Sequence, residues 1–318
     1  MKTAKKTLSQ AREDLLAAER FSNCTLFHTH AWLDIMARTS GKAIDIYTFN
    51  DRKKPVGISW LVPLKAGISM SPIFDTETAY GGVVGDDVPM LLRALKDQTS
   101  FIVVQNTTAE VPGFIQDDKC TVITALDAPD ADTHLKRMRK GHRYNIGKSL
   151  ANPELEVGEH YDDHAIAEYQ ELLRRTHRRI GIPDPPMDLY KEVILRYCKK
   201  GQGMFLVCRH QDKPVAGIVT LTYKDTMYFW TGASDETAQH LYANDLLQWH
   251  AIQWAYRKKL RAYDMLGADI EGVRKFKMGF GGELVTYRRI YSDRKTHLLA
   301  KAYRACGGIL QKAARVIR

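Results

Sequence analysis

The sequence lacks the features on which several function classes depend. Its five cysteines (Cys24, Cys120, Cys198, Cys208, Cys306) are odd in number, scattered, and form no Cys-x-x-Cys pair. Neither a disulfide framework nor a zinc ribbon is expected, and a reducing cytoplasm fits. No apolar run approaches the roughly 18 residues of a membrane span. The opening MKTAKKTLSQAREDLLAAER turns from basic to amphipathic without the apolar core of a secretion signal. A Gly-x-Ser-x-Gly elbow is missing and no cysteine stands in a recognisable nucleophile context, so direct transfer is expected rather than covalent catalysis. His160 and His164 of HYDDH share the spacing of a metal pair but have no third ligand, and the same acids read as a helix cap before Ala165. His28 and His30 alternate rather than stack. The expectation is no metal and no tightly bound cofactor. GHRYNIGKS only resembles a phosphate loop, because Gly141 lies one residue too far from the Gly147-Lys148 pair.

What is present suffices for two cores. At 318 residues and 44% apolar content the chain is long enough for two modest domains. AIDIYTFNDRKKPVGISWLVPL (Ala43 to Leu64) and GMFLVCRHQDKPVAGIVTLTY (Gly203 to Tyr223) each place two apolar runs around a polar turn that ends in a proline. Both read as β-hairpins. Lys54-Pro55-Val56 and Lys213-Pro214-Val215 align at one offset, each with a glycine just beyond, which predicts a duplicated unit. Helices are predicted near 30–39, 88–97, 165–180, 187–199 and 238–259, and strands at FIVVQ, TMYFWTGAS and RAYDMLG. The fold class is α/β, with a mixed, mostly antiparallel sheet flanked by helices in each of two domains, 1–130 and 131–293. A basic helix is expected over 294–318, weakened at Gly307-Gly308.

The net charge of +10 is local. Lys136 to Lys148 holds six Lys/Arg and no acid, and Arg294 to Arg318 holds seven and no acid. Such clusters fit a polyanion, whether a phosphate-bearing substrate, tRNA or an anionic membrane surface reached through 294–318. The plainer alternative is a pair of solvated helix faces. In the first segment Leu135, Met138, His142 and Ile146 fall along one helical stripe, which leaves Arg143 and Lys148 on other faces.

FKMGFGG (Phe276 to Gly282) follows a strand and an acidic loop, RAYDMLGADIEGVR. A strand end of this kind is where an α/β sheet commonly places its ligand. Lys277 is the catalytic candidate, since a lysine held in such a corner can stabilise an oxyanion or a phosphate. The structural alternative is that Phe276 and Phe280 anchor a helical turn while Lys277 faces solvent.

DKPVAG, YFWTGAS, YANDLLQWHAIQWAYRK, the strand carrying Asp264, and FKMGFGG together resemble the GNAT-like acyltransferase domain of the Fem family. FHTHAWLDIM and AYGGVVG are similar to that family's N-terminal unit. The resemblance covers nearly the whole chain and implies tandem GNAT-like domains that pass an activated acyl group to an amine. In bridge-forming members the donor is aminoacyl-tRNA and the acceptor a cell-wall precursor. By that likeness Phe276 and Lys277 match a Phe-Lys pair near the reacting carbonyl, and Tyr80, Gly81 and Gly82 line the acceptor side. Arg143 and Lys148 fall in the family's basic segment, and their assignment to phosphates is an inference from charge.

The glycine-rich loop of acetyl-CoA-using relatives has no counterpart, since the interval before the long helix reads SDETAQHLYAND. Aminoacyl-tRNA or acyl-CoA therefore both stand as co-substrates. Asp264 is the candidate to orient the amine or take its proton, with a capping role as the alternative. Tyr228, Trp230 and Tyr242 are expected to wall the cleft, although core packing explains the first two equally well. Arg274 completes the substrate-binding set. Three functions compete: aminoacyl or acyl transfer to an amine on an envelope precursor or sugar, acyl-CoA-dependent N-acetylation of a small molecule or sugar, and a non-catalytic module that binds RNA or an anionic membrane.

Overall fold

The computed structural model describes residues 1–52, 54–64, 67–72, 79–181, 184 and 186–302. The chain divides into two compact units, Met1–Lys119 with the residues from Thr286 onward, and Cys120–Val285. These divisions replace the borders expected at 130 and 293, because they fall inside two long strands rather than in linkers.

In the first unit the elements run β1 (Lys2–Thr7), α1 (Arg12–Ala18), α2 (His30–Ser40), β2 (Asp45–Asp51), β3 (Lys54–Pro63) and β4 (Ile68–Ser71). Then follow β5 (Gly82–Gly85), α3 (Val88–Lys96), β6 (Ser100–Gln105) and β7 (Ile115–Ala125), the last crossing into the second unit. That unit continues with α4 (Ala131–Arg137), α5 (Lys140–Leu150), β8 (Leu155–Glu159), α6 (Asp163–Ile180) and α7 (Met187–Arg196). It ends with β9 (Gly203–His210), β10 (Lys213–Tyr223), β11 (Thr226–Ser234), α8 (Ala243–Arg257), β12 (Ala262–Asp264), α9 (Glu271–Met278) and β13 (Glu283–Tyr291).

Helix ends lie where side chains satisfy them. Thr29 accepts the amide of Trp32 at the start of α2, and Gly41 closes that helix at φ 64. Asp87 accepts from Met90 to open α3. Asp162 accepts from Ala165 to open α6, so the acids of HYDDH are a cap. No group of His, Cys, Asp and Glu among the described residues is arranged to hold a metal. The basic stretch expected as one helix is two, because the chain turns between α4 and α5 at Met138 and Arg139, where the Arg139 amide donates to the Gly279 carbonyl at 2.9 Å.

Both units are built on a mixed, mostly antiparallel sheet. In the first the order is β1-β2-β3-β4-β6-β13, with β5 also on β3; β4 and β6 run parallel. In the second it is β7-β12-β11-β10-β9-β8, with β11 and β12 parallel. The two predicted hairpins are β2–β3 and β9–β10. Pro55 lies opposite Asn50 and Pro214 opposite Arg209, each beside a register shift. A proline has no ladder hydrogen to give, so it sits where the ladder is already broken. Trp32, Phe49, Trp60 and Phe101 fill the first core; Trp249, Ile252 and Ala255 of α8 fill the second. The C-terminal helix is seen over residues 294–302, with Leu298 and Leu299 exposed. The remainder of that expected helix, with Ile309, Leu310, Val316 and Ile317, lies outside the described residues. Among the described residues no helix is long and apolar enough to cross a membrane.

His28 ties the first unit together. The Thr25 amide donates to Nδ1 (3.2 Å), so Nε2 carries the hydrogen and donates to the Gly81 carbonyl (3.0 Å). Complete burial pushes this imidazole down to about 4. The native state thus refuses a proton that the unfolded chain takes up below the ordinary 6.5. Stability falls as pH drops through the interval from 6.5 to 4, by up to about 1.4 kcal/mol per pH unit. Urea titrations are expected to show this slope in the wild type and to lose it in His28→Gln; equal slopes would remove the assignment.

Candidate functional site

The second unit opens at the ends of its two parallel strands. β12 pairs with β11 only over Thr226–Tyr228. Past Asp264 the chain stays with β7, the Met265 amide donating to the Val122 carbonyl (2.8 Å) and that of Ala268 to Cys120 (2.7 Å). β11 instead continues along β10 to Ser234. A cleft of about 150 Å³ lies along β11 past this point, lined from β11, α6, α8 and α9, with Phe229 and Phe276 as apolar walls and Thr176, Ser234, Asn244 and Gln248 as polar ones. Beyond Tyr228 one side of β11 has no strand neighbour among the described residues.

Behind this wall two cations hold a loop. Lys277 is buried, and its Nζ donates to the carbonyls of Met265 (2.7 Å), Leu266 (2.8 Å) and Gly267 (2.8 Å). Arg274, one turn earlier on α9, donates from Nε to the Ala268 carbonyl (3.0 Å) and from Nη2 to that of Asp269 (3.3 Å). Five consecutive carbonyls between β12 and α9 are thus clamped by one face of a short helix. Burial pushes the Lys277 ammonium down to about 8, with the Asp264 carboxylate opposing that shift. An ammonium has three hydrogens, and all three are committed here. Lys277 therefore neither faces solvent nor points a free donor at a substrate; it fixes the wall while its charge lies 5.4 Å from the centre of the Phe229 ring.

Asp264 is equally committed. Its Oδ1 accepts from Thr121 Oγ1 (2.5 Å) and from the Leu266 amide (2.9 Å), and it is buried. The capping alternative describes it better than that of an accessible base.

The glycines of FKMGFGG answer to their neighbours. A Cβ on Gly279 would lie 2.0 Å from His142 Nε2, and one on Gly282 would lie 2.4 Å from Val122 Cγ1. Gly281 has φ 86. His142 is held by Asp245 Oδ1 at 2.5 Å from Nδ1 and packs against the rings of Phe276 and Phe280.

Other expected site residues are placed elsewhere. Trp230 is the extra residue of a bulge in β11 and packs on Tyr190 at 4.8 Å, while Tyr228 is buried, so neither lines the cleft. The correction has a local cause, since a bulge re-aims side chains; Phe229 takes the position expected of them. Tyr242, at φ 54, is the residue from which α8 starts. Tyr80, Gly81 and Gly82 are buried inside the first unit rather than lining a surface. Tyr80 stacks on Phe27 and Tyr287, a Cβ on Gly81 would meet Ser71 Oγ at 1.9 Å, and Gly82 has φ 82 beside the Gln105 amide. Arg143 donates to the Lys136 carbonyl (2.7 Å) and so caps α4; Lys148 lies over the exposed Tyr144 ring. Lys136, Arg139, Lys140, Arg143 and Lys148 are exposed and have no ion-pair partner among the described residues.

Thr176, Ser234, Asn244 and Gln248 carry no mark of the cleft that can be read along the chain. Gln248 carried the best available signal, a polar residue on an otherwise apolar helix, 1% exposed.

Residues 136–278 match the family model described as acetyltransferase (GNAT) domain. Among solved structures the fold is similar to that of FemX, at 13% identity and a TM-score of 0.67, covering 94% of this chain and 99% of that one. It is also similar to the C-terminal domain of a putative lysylphosphatidylglycerol synthetase from Agrobacterium fabrum (12% identity, TM-score 0.58, 93% and 94% covered). A tandem GNAT protein from the clavulanic acid biosynthesis pathway gives 10% identity and a TM-score of 0.56, with 91% and 98% covered. No curated protein matches the chain. The tandem GNAT architecture that the sequence resemblance implied is therefore the observed fold.

Proposed function

We propose that the protein is an N-acyltransferase that moves an activated acyl or aminoacyl group onto an amine. The carrying observation is the cleft along β11, past the point where β12 leaves it, within the segment that matches the GNAT domain. Its aromatic walls suit the acyl carbon. In the reaction the amine nitrogen attacks the carbonyl carbon, a C–N bond forms, and the thioester or ester bond breaks. The amine proton leaves with the departing group or to water. Negative charge on the carbonyl oxygen lies near the buried ammonium of Lys277, whose field acts at low dielectric across Phe229. Holding both reactants in one cleft supplies much of the rate.

Aminoacyl-tRNA is the donor that the unpaired cations of α5 suit best, since they would meet its phosphates. The amine belongs to an envelope precursor or a related sugar, as the sequence resemblance to the Fem family implies. Acyl-CoA is the second reading, favoured by the start of α8, where no side chain caps the first amides.

The test supplies the full-length protein with radiolabelled aminoacyl-tRNA and, separately, with acyl-CoA, each with a panel of amines, and follows amide formation by mass spectrometry. Transfer from tRNA that drops at least tenfold in a Lys140→Ala, Arg143→Ala, Lys148→Ala triple variant supports the first reading. Transfer from CoA, unaffected by that variant, supports the second. No amide from either donor, with tRNA still bound, would leave the binding-module function instead.

A further inference from the structure

The polar end of the same cleft has a chemical bias that the acyltransferase reading does not by itself require. We infer, building on that reading, that the transferred acyl group ends in a hydrogen-bond-accepting oxygen, and that a terminal carboxylate is its best form.

The bias begins at Gln248. Tyr263 is fully buried, which pushes its phenol well above the ordinary range and keeps it protonated. Its hydroxyl donates to Gln248 Oε1 at 2.6 Å, which commits the amide oxygen and leaves the amide of this cleft-lining residue to act as a donor. Thr176 lines the same space, and its Oγ1 is a buried atom with no hydrogen-bond partner. Asn244 Nδ2 donates to Ser234 Oγ (3.2 Å), so the serine hydrogen also remains for a ligand. Arg179 closes this end, held by the exposed Glu236 at 3.8 Å. An exposed pair of that length is worth at most about 1 kcal/mol and yields to a better acceptor.

No carboxylate lines the cleft. An acyl chain with an ammonium end would meet a guanidinium and a set of donors, while the nearby Glu236 is exposed and already paired with Arg179. A branched hydrocarbon end would strip water from Thr176 and Gln248 without replacing it, and an unmade buried hydrogen bond costs about 1–3 kcal/mol. An end with oxygen lone pairs satisfies all four donors at once. The volume of about 150 Å³ holds a short chain, on the order of five waters' worth at roughly 30 Å³ each.

The experiment measures binding without turnover. Three ketone analogues of N-acetylcysteamine thioesters, with CH2 in place of sulfur, carry succinyl, 4-methylpentanoyl and 4-aminobutanoyl groups. The first two chains have the same number of heavy atoms and the same branching and differ in carboxylate against isopropyl. Calorimetric titration of the full-length protein is expected to rank succinyl tightest by at least tenfold over 4-methylpentanoyl, with 4-aminobutanoyl weakest. Arg179→Ala should reduce the carboxylate advantage below threefold, and Thr176→Val should reduce it severalfold. Equal affinities, a preference for either other end, no binding of any analogue, or an advantage untouched by Arg179→Ala would each overturn the inference. Because none of the analogues can be transferred, the outcome is independent of the acyl-transfer assay: ranked binding without amide formation sinks the enzymatic reading and leaves the binding preference standing.

Discussion

Lys277→Met is expected to destabilise the protein by about 2–4 kcal/mol at pH 7 and, in the transfer assay, to lower turnover by about two orders of magnitude. Methionine matches the lysine stem in volume, so packing changes little. What disappears is the donor set for three adjacent carbonyls, those of Met265, Leu266 and Gly267. Each acceptor left without a partner costs about 1–3 kcal/mol, partly relieved where water enters. Part of the loss is offset, because the native state also stops carrying a buried charge. That charge gives the prediction its second arm. The Lys277 pKa is about 8 in the folded protein against the ordinary 10.5, so between those values the unfolded chain binds a proton that the native one has lost. Stability from this group rises with pH over that interval, by up to about 1.4 kcal/mol per unit. Urea titrations at pH 7, 8.5 and 10 should therefore show the gap between wild type and variant widening as pH rises. A gap that is absent, or constant with pH, would show that the ammonium does not clamp the loop. Arginine should not rescue the variant, since a planar guanidinium cannot place three hydrogens on three converging carbonyls.

The general fold was legible because it is written in local chemistry. Two hairpins with a proline beside the turn, Asp162 ahead of an apolar-periodic run, and Gly41 after one are signals whose meaning depends on a few neighbouring residues. The site was legible only as a neighbourhood. FKMGFGG supplies Phe276 to the cleft wall, yet a chain read in one dimension does not reveal that the Lys277 hydrogens are spent on residues ten to twelve positions earlier. Arg274 was drawn into the substrate set by its charge, and the structure uses that charge on the Ala268 and Asp269 carbonyls. In each case the cation was recognised correctly and its partner was not, since carbonyls are present at every position and leave no mark in the sequence. Trp230 failed for a different reason, a bulge that strand periodicity cannot anticipate. The cleft's own polar residues come from α6, β11 and α8, and only packing brings those three elements together.

Gly279→Ala is expected to cost about 3–5 kcal/mol, even though alanine is ordinarily the better helix former. The backbone at Gly279 is ordinary, with φ −63 and ψ −18, so the penalty arises entirely from space. The new methyl would lie 2.0 Å from His142 Nε2 and 2.1 Å from its Cδ2. The imidazole has little room to retreat, since Phe276 and Phe280 pack on it and Asp245 holds its Nδ1 at 2.5 Å. Moving it leaves a carboxylate that is 6% exposed with only the Asn145 amide, at 3.3 Å. Overpacking contributes about 1–3 kcal/mol, and losing a hydrogen bond to a charged group about 1.5–3 kcal/mol. A double-mutant cycle separates these. In a His142→Ala background the methyl has somewhere to go, so Gly279→Ala should cost under about 1 kcal/mol there, a coupling of at least about 2 kcal/mol. Gly272→Ala serves as the control within the same helix: nothing lies within 4 Å of its added Cβ, and it should stabilise by up to about 1 kcal/mol. Thermal and urea unfolding of the four cycle members and the control decide the matter, and additive costs for positions 142 and 279 would reject the steric account of why this corner carries a glycine.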